Sequence, residues 1–162
     1  MHADGYAGLS FLLFSPFVFL FKVAGADMTN VLITGALMVG LSSIPDLDIQ
    51  WEMKHRGITH TVLFGLGIGI LFSVLLGYAY GFLGWIMGFV AGFGATGSHI
   101  LGDTFTYMPF KPLYPFSQRE VAFGYFRASN KAINRGMLTI GIIVFIVSLE
   151  PAIITQLLGS VT

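Results

Sequence analysis

Apolar residues run along this chain in long blocks rather than in alternation, and polar residues are confined to the joints between them. The blocks are Gly5 to Val23, Val31 to Ile44 with a lead-in from Met28, Thr61 to Tyr80, Phe82 to Leu101, and a run from near Gly136 to about Leu158. A helix crossing the hydrocarbon core of a bilayer needs about 20 predominantly apolar residues. The pattern therefore predicts an all-α fold, a polytopic membrane helical bundle of about five transmembrane helices near 5–23, 28–45, 60–80, 82–102 and 136–158. The whole chain, 1–162, reads as one membrane-embedded domain.

The joints refine the picture. Only Gly81 separates Tyr80 from Phe82, so the third and fourth helices must form a tight antiparallel hairpin. Gly84, Gly88 and Gly92 recur every four residues and make a smooth helix face on which another backbone can sit closely. Glu150-Pro151 interrupts the last run and is expected to kink or end it; no functional role is evident for Glu150. No basic residue precedes the first block, which is read as a retained helix and not a secretory signal.

Composition confirms the class: 55% of residues are hydrophobic and 10% charged, with a mean hydropathy of +0.81, outside the range of ordinary soluble domains. Zero formal charge and the bilayer context argue against a nucleic-acid partner. The absence of cysteine excludes disulfides, thiolate metal sites and a cysteine nucleophile. Ser98 and His99 are adjacent, so on a helix they diverge by about 100°, and no nucleophile elbow is present; a serine hydrolase is excluded.

Five crossings put the amino terminus and the loops 45–59 and 103–135 on one side of the membrane. Those loops carry Lys54, Arg56, Lys111, Arg119, Arg127, Lys131 and Arg135, seven of the eight Lys and Arg residues. The positive-inside rule makes that side cytoplasmic. All four histidines, and the carboxylates of Asp46, Asp48 and Asp103, fall at the same level. Gathering so many ionisable groups beside hydrocarbon is costly unless a cation is shared among them.

His99 and Asp103, four residues apart, share a helix face and can reach one ion. His55 and His60 are about 140° apart on a regular helix, so Gly57 is expected to break the geometry and leave His55 in the loop, with Thr59 capping the helix that begins at His60. Asp46 and Asp48 follow Pro45, and an extended stretch would aim both the same way. Imidazole with carboxylate suits zinc, with manganese, iron or magnesium as alternatives. The stretch from Phe105 to Arg135 mixes aromatic and basic residues and is broken by Pro109, Pro112 and Pro115. It belongs at the headgroup level, where it can act as a lid contacting membrane lipids.

Pro45-Asp46-Leu47-Asp48, His55-Arg56-Gly57-Ile58-Thr59-His60, His99-Ile100-Leu101-Gly102-Asp103 and Pro112-Leu113-Tyr114-Pro115-Phe116-Ser117 together resemble the YdjM-type membrane-bound metal-dependent hydrolases, also described as LexA-regulated inner-membrane proteins. The resemblance implies a membrane-embedded fold, a metal site and location in the inner membrane. A fainter likeness, in the order early His, Asp, His, then HxxxD, is to the zinc phospholipase C and P1 nuclease group. It implies His2, Asp46, His60, His99 and Asp103 as metal ligands, with Asp103 able to bridge two ions. The later ligands of that group are missing, which leaves one or two ions rather than three.

The expected function is hydrolysis of a phosphoester, in a phospholipid or another amphiphilic phosphate, by metal-activated water. Asp48 or His55 would orient the water or protonate the leaving group, and Arg56 would bind phosphate. Two other classes are a non-catalytic metal-stabilised membrane protein and a metal-ion transporter. A transporter should carry ionisable groups deeper along its path, and none lies between Thr61 and Ser98.

Overall fold

The computed structural model describes residues 1–50, 52 and 55–149, and these are helical apart from short connections and one long non-helical segment, 105–130. Helix α1 spans Ala3–Val23, α2 Met28–Leu41, the one-turn α3 Leu47–Gln50, α4 Val62–Thr104 and α5 Lys131–Leu149. Two 3₁₀ turns, Ile44–Asp46 and Ile58–His60, stand between α2 and α4. Four helices are long and apolar enough to cross a membrane: α1, α2 with the turns after it (Met28–Ile49), α4 and α5.

The 43 residues of α4 would measure roughly 65 Å if straight, twice the thickness of a hydrocarbon core. Gly81, at φ 69° and ψ −152°, breaks the helix into two arms. The arms return antiparallel, so close that a Cβ added at Gly84, Gly88 or Gly92 would lie 2.2, 2.1 or 2.6 Å from the carbonyl oxygens of Leu76, Phe72 and Ile68 respectively. Among the described residues the four helices, with α4 folded in two at Gly81, therefore make five apolar passes, with the glycine stripe serving as the seam of the hairpin.

A second glycine contact joins α1 to α5: a Cβ at Gly141 would meet the Gly8 carbonyl oxygen at 2.1 Å. Phe14, Val18 and Phe21 of α1, Val31 and Met38 of α2, and Met87, Ala91 and Ala95 of the second α4 arm form the apolar core. Much of the remaining apolar surface is exposed, as a lipid-facing surface would be: Ile70, Leu75, Ile143 and Ile146 are each half exposed or more.

Element ends depart from the hydropathy pattern in three places. Helix α2 stops at Leu41 and not at 45, because Ser42 caps it and Pro45 opens a 3₁₀ turn. Thr61, not Thr59, caps α4 by accepting from the Phe64 amide at 3.1 Å, so the helix begins after His60. Helix α5 begins at Lys131, five residues before its apolar run, because Asn130 caps the amide of Ile133. The expected break at Glu150-Pro151 and the helix from 150 to 158 lie outside the described residues.

Candidate metal centre

The seams described above bring the ends of α1, α2 and the two α4 arms together at one level of the bundle. Pro45 starts a 3₁₀ turn that runs directly into α3, so Asp46 and Asp48 are helical, not extended. Their carboxylates consequently diverge and approach His60 from opposite sides: Asp46 Oδ1 lies 3.5 Å from Nε2 and Asp48 Oδ2 3.4 Å from Nδ1. His60 itself is held in the 3₁₀ turn that precedes α4. His99 and Asp103 stand one turn apart near the end of α4, on its buried face.

Four atoms converge. His60 Nε2 and His99 Nε2 are 3.2 Å apart; Asp46 Oδ1 is 3.5 and 3.3 Å from them; Asp103 Oδ2 is 3.6 and 3.9 Å from them. Tetrahedral zinc, with bonds of about 2.0–2.1 Å, separates its ligand atoms by about 3.3 Å. Both histidines are fully buried.

The partners of the other ring nitrogens decide what meets at that point. His99 Nδ1 faces the Ser42 carbonyl oxygen at 2.7 Å, which can only accept, so Nδ1 carries the proton. Thr59 Oγ1 donates to Asp48 Oδ2 at 3.0 Å, so toward His60 Nδ1, also 3.0 Å away, it accepts. Each neutral imidazole thus presents an unprotonated Nε2 to the other. Burial also holds the His60 imidazole below its ordinary pKa, which favours the neutral form. Asp103 Oδ2, the third atom, is buried without any hydrogen-bond partner. Two nitrogen lone pairs and an orphaned carboxylate oxygen turned on one point repel one another unless a cation lies between them. Asp46, His60 and His99 could hold a divalent metal ion, with Asp103 Oδ2 3.6 and 3.9 Å from the two nitrogens.

A second layer fixes those groups, as outer hydrogen bonds do at metal sites. Asp103 Oδ1 accepts from the Met1 amine at 2.6 Å, the Tyr6 hydroxyl at 2.6 Å and the Arg56 guanidinium at 3.0 Å, leaving Oδ2 free. Tyr6 also stacks on His99, with ring centroids 3.7 Å apart. Fully buried Asp48 accepts from the Arg56 amide at 3.0 Å as well as from Thr59 and faces His55 Nδ1 at 3.0 Å. Asp48, His55 and His60 form a second group able to hold an ion, but hydrogen bonds already account for the Asp48 oxygens.

The structure thus brings Asp46, His60, His99 and Asp103 together and leaves His2 out of the group. The His2 side chain is exposed, its amide donates to Asn134 Oδ1 at 3.1 Å, and the Met1 amine reaches Asp103 in its place. His2 is the extended residue that precedes α1, and its side chain is exposed, whereas Met1 before it is buried. Arg56, at φ 59°, is nearly buried; its guanidinium also donates to Thr106 Oγ1 at 3.0 Å and to the Met108 carbonyl, and lies over the Phe110 ring. Phe110 in turn packs edge-on against His60. The segment after α4 therefore covers the centre, held by bridges Thr106 to Phe126 and Phe110 to Val121.

Sequence reasoning missed Tyr6, Thr59 as an outer-layer residue, and the Ser42 carbonyl. The available signal for Thr59 was its hydroxyl beside a histidine; for Tyr6 it was a hydroxyl at the same end of the bundle as Asp103.

Helical passes joined by glycine seams, closed at one end by a histidine and aspartate group that could hold a metal ion, define a membrane bundle with a candidate metal site. Residues 13–161 match the YdjM inner membrane protein family. The chain belongs to that family, and its apolar helices fit an inner-membrane protein. No curated protein and no solved structure matches it.

Proposed function

We propose that this chain is a membrane-embedded, metal-dependent hydrolase that cleaves a phosphoester of a phospholipid or other amphiphilic phosphate. The observation that supports this most is a wall shared between the metal centre and a cavity. His55 and Arg56, which bond to Asp48 and Asp103, also line a cavity of about 480 Å³ with Ile58, Met108, Phe110 and Lys111. Arg56 and Lys111, against the single carboxylate of Glu120, together with apolar side chains on one wall at the edge of a membrane bundle, suit a substrate with a phosphate head and a hydrocarbon tail.

Asp46, His60, His99 and Asp103 would hold the ion, and two nitrogens with two oxygens suit zinc better than manganese, iron or magnesium. When bound, a divalent ion lowers the pKa of water from 15.7 toward about 7 and polarises a phosphoryl oxygen. His55 is the chain's own acid or base. Asp48 accepts from its Nδ1, which leaves Nε2 as the nitrogen able to take up or deliver a proton, on a side chain one-third exposed at the cavity. Asp48 acts through His55 and His60 and does not itself meet substrate, since it is fully buried. The excess of Lys and Arg in the loops at this end supports a cytoplasmic location for the site.

The test uses detergent-purified, zinc-loaded protein screened on phospholipids and generic phosphoesters. His55→Ala should lower turnover by about 10²–10⁴-fold at unchanged zinc content, while Asp46→Ala should lose zinc and turnover together. Full turnover in His55→Ala overturns the assigned role. Stoichiometric zinc with no hydrolysis of any phosphoester overturns the enzyme and leaves a metal-stabilised membrane protein.

A further inference from the structure

The start of α5 carries a charge pattern that the metal centre does not use. Arg127 stands just ahead of the helix, Lys131 opens it and Arg135 follows a turn later, all three exposed. The first turn of α5 contains no acidic residue. A helix amino terminus is its positive pole and disfavours cations, so three of them here oppose both one another and the helix dipole. Among the described residues none of the three has a carboxylate within 4.0 Å.

Next to these cations is an open cavity of about 740 Å³ lined by Tyr107, Tyr125, Phe126, Arg127, Asn130 and Ile133. Tyr107 is 60% and Tyr125 71% exposed. A smaller recess between α1 and α5, about 260 Å³, is lined by His2, Lys131, Asn134 and Arg135, with Asp4 as a facing carboxylate. The depth of both is set by the His2 amide on Asn134 and the Met1 amine on Asp103, which tie the start of α5 to the level of the metal centre. The apolar run of α5 begins directly below, at Gly136. Unpaired cations with exposed tyrosines at that depth have the composition of a headgroup-level lipid contact. The lining residues of the larger cavity include none of those around the cavity beside His55.

We propose that Arg127, in the Tyr107 and Tyr125 cavity, binds the phosphate of an anionic phospholipid headgroup at a site separate from the metal centre, with Lys131 and Arg135, in the recess on the other side of the α5 start, adding positive potential. The phosphate offsets the charge that the helix start and the three cations accumulate, and the tyrosine rings cover the glycerol region. This site rests on membrane location alone and is independent of any hydrolysis.

Delipidated full-length protein in detergent, titrated with phosphatidylglycerol or phosphatidylcholine and read by native mass spectrometry, tests it. Phosphatidylglycerol should be retained preferentially, and each of Arg127→Gln, Lys131→Gln and Arg135→Gln should weaken its binding by about fivefold, with Arg119→Gln, exposed and lining neither cavity, leaving it unchanged. Circular dichroism of each variant checks the fold, and Arg127→Gln, outside the helix, serves if the helix variants do not fold. Equal binding of the two lipids, or undiminished phosphatidylglycerol binding in folded Arg127→Gln, overturns the proposal. Displacement of the lipid by an equal concentration of inorganic phosphate also overturns it, since the site would then take free anions.

Discussion

Thr59→Val isolates the tautomer logic of the metal centre, because it removes one hydroxyl and keeps the volume of a buried side chain. The hydroxyl donates to Asp48 and accepts from His60 Nδ1, so its loss frees the His60 ring to turn and to shift its proton. A hydrogen bond involving a charged group is worth about 1.5–3 kcal/mol. Two features put this case at the lower end. Asp48 keeps the Arg56 amide and His55 as partners, and His60 Nδ1 has Asp48 Oδ2 at 3.4 Å to turn toward. About 1.5 kcal/mol corresponds to roughly tenfold weaker metal binding, within the 10–100-fold that loss of an outer hydrogen bond typically costs. Competition with a chromophoric zinc chelator measures it. Thr61→Val is the control: it removes the α4 cap, should cost about 1 kcal/mol of stability, and should leave zinc affinity alone. Wild-type affinity in Thr59→Val, or an equal loss in Thr61→Val, would refute the assignment of His60 Nε2 as a held lone pair.

The hairpin seam predicts that Gly88→Ala, whose Cβ would sit 2.1 Å from the Phe72 carbonyl oxygen, destabilises the protein by about 1–3 kcal/mol. Gly97→Ala, with nothing within 4 Å, should instead stabilise it by about 0.5–1 kcal/mol; denaturation in detergent compares the two. Lowering the pH should release zinc. The folded-state pKa of His60 lies below its ordinary 6.5, so the ring stays neutral and able to ligate down to that lowered pKa, and protons displace the ion only as the pH falls through it; dialysis followed by elemental analysis reads the loss, and metal retained at strongly acidic pH would contradict it. Single cysteines placed at exposed Asp4 and Tyr80 should label from opposite sides of the membrane, Tyr80 from outside the cell. Labelling of both from one side would break the five-pass arrangement.

The five apolar passes were legible because each run is long and the one tight reversal sits at a glycine. Boundaries were less so, for local reasons: α5 extends into the polar stretch Lys131 to Arg135, where hydropathy gives no signal but an Asn130 cap does. Within the site, His99 and Asp103 were readable from spacing alone, since four residues on a helix share a face. Asp46 and Asp48 were not, because a 3₁₀ turn and a single helical turn after Pro45 reverse the aim that an extended stretch would give. No residue-level pattern could point to the Ser42 carbonyl, which every residue type carries; its role follows only from the end of α2 meeting the α4 hairpin. His2 looked like a candidate because of its type, while the geometry turns its side chain outward and uses the preceding residue.

Charge explains why such a group persists at the edge of a membrane. Asp46, Asp48 and Asp103 bring three negative charges into the cluster, and Arg56 returns one, with the Met1 amine a second on Asp103. The Nδ1 partners of the two central histidines turn both Nε2 atoms on one point, and with neutral imidazoles the cluster without an ion is net negative and largely buried, an arrangement that costs several kcal/mol for each uncompensated charge. A divalent cation reverses the sign. The same aspartates that would repel a phosphate then sit beneath a net positive centre, and Arg56, which bonds to Asp103 and lines the adjoining cavity, extends that potential toward the opening. With an ion bound as proposed, metal binding, fold stability and attraction of an anionic head would all follow from one buried charge imbalance. An Asp46→Asn protein, which removes the carboxylate that among the described residues has only the two histidines as partners, should reveal this coupling by gaining apo-state stability while losing zinc-dependent stabilisation, with melting curves taken with and without zinc as the measure. Equal zinc-dependent shifts in the variant and the parent would separate the three properties and remove the argument.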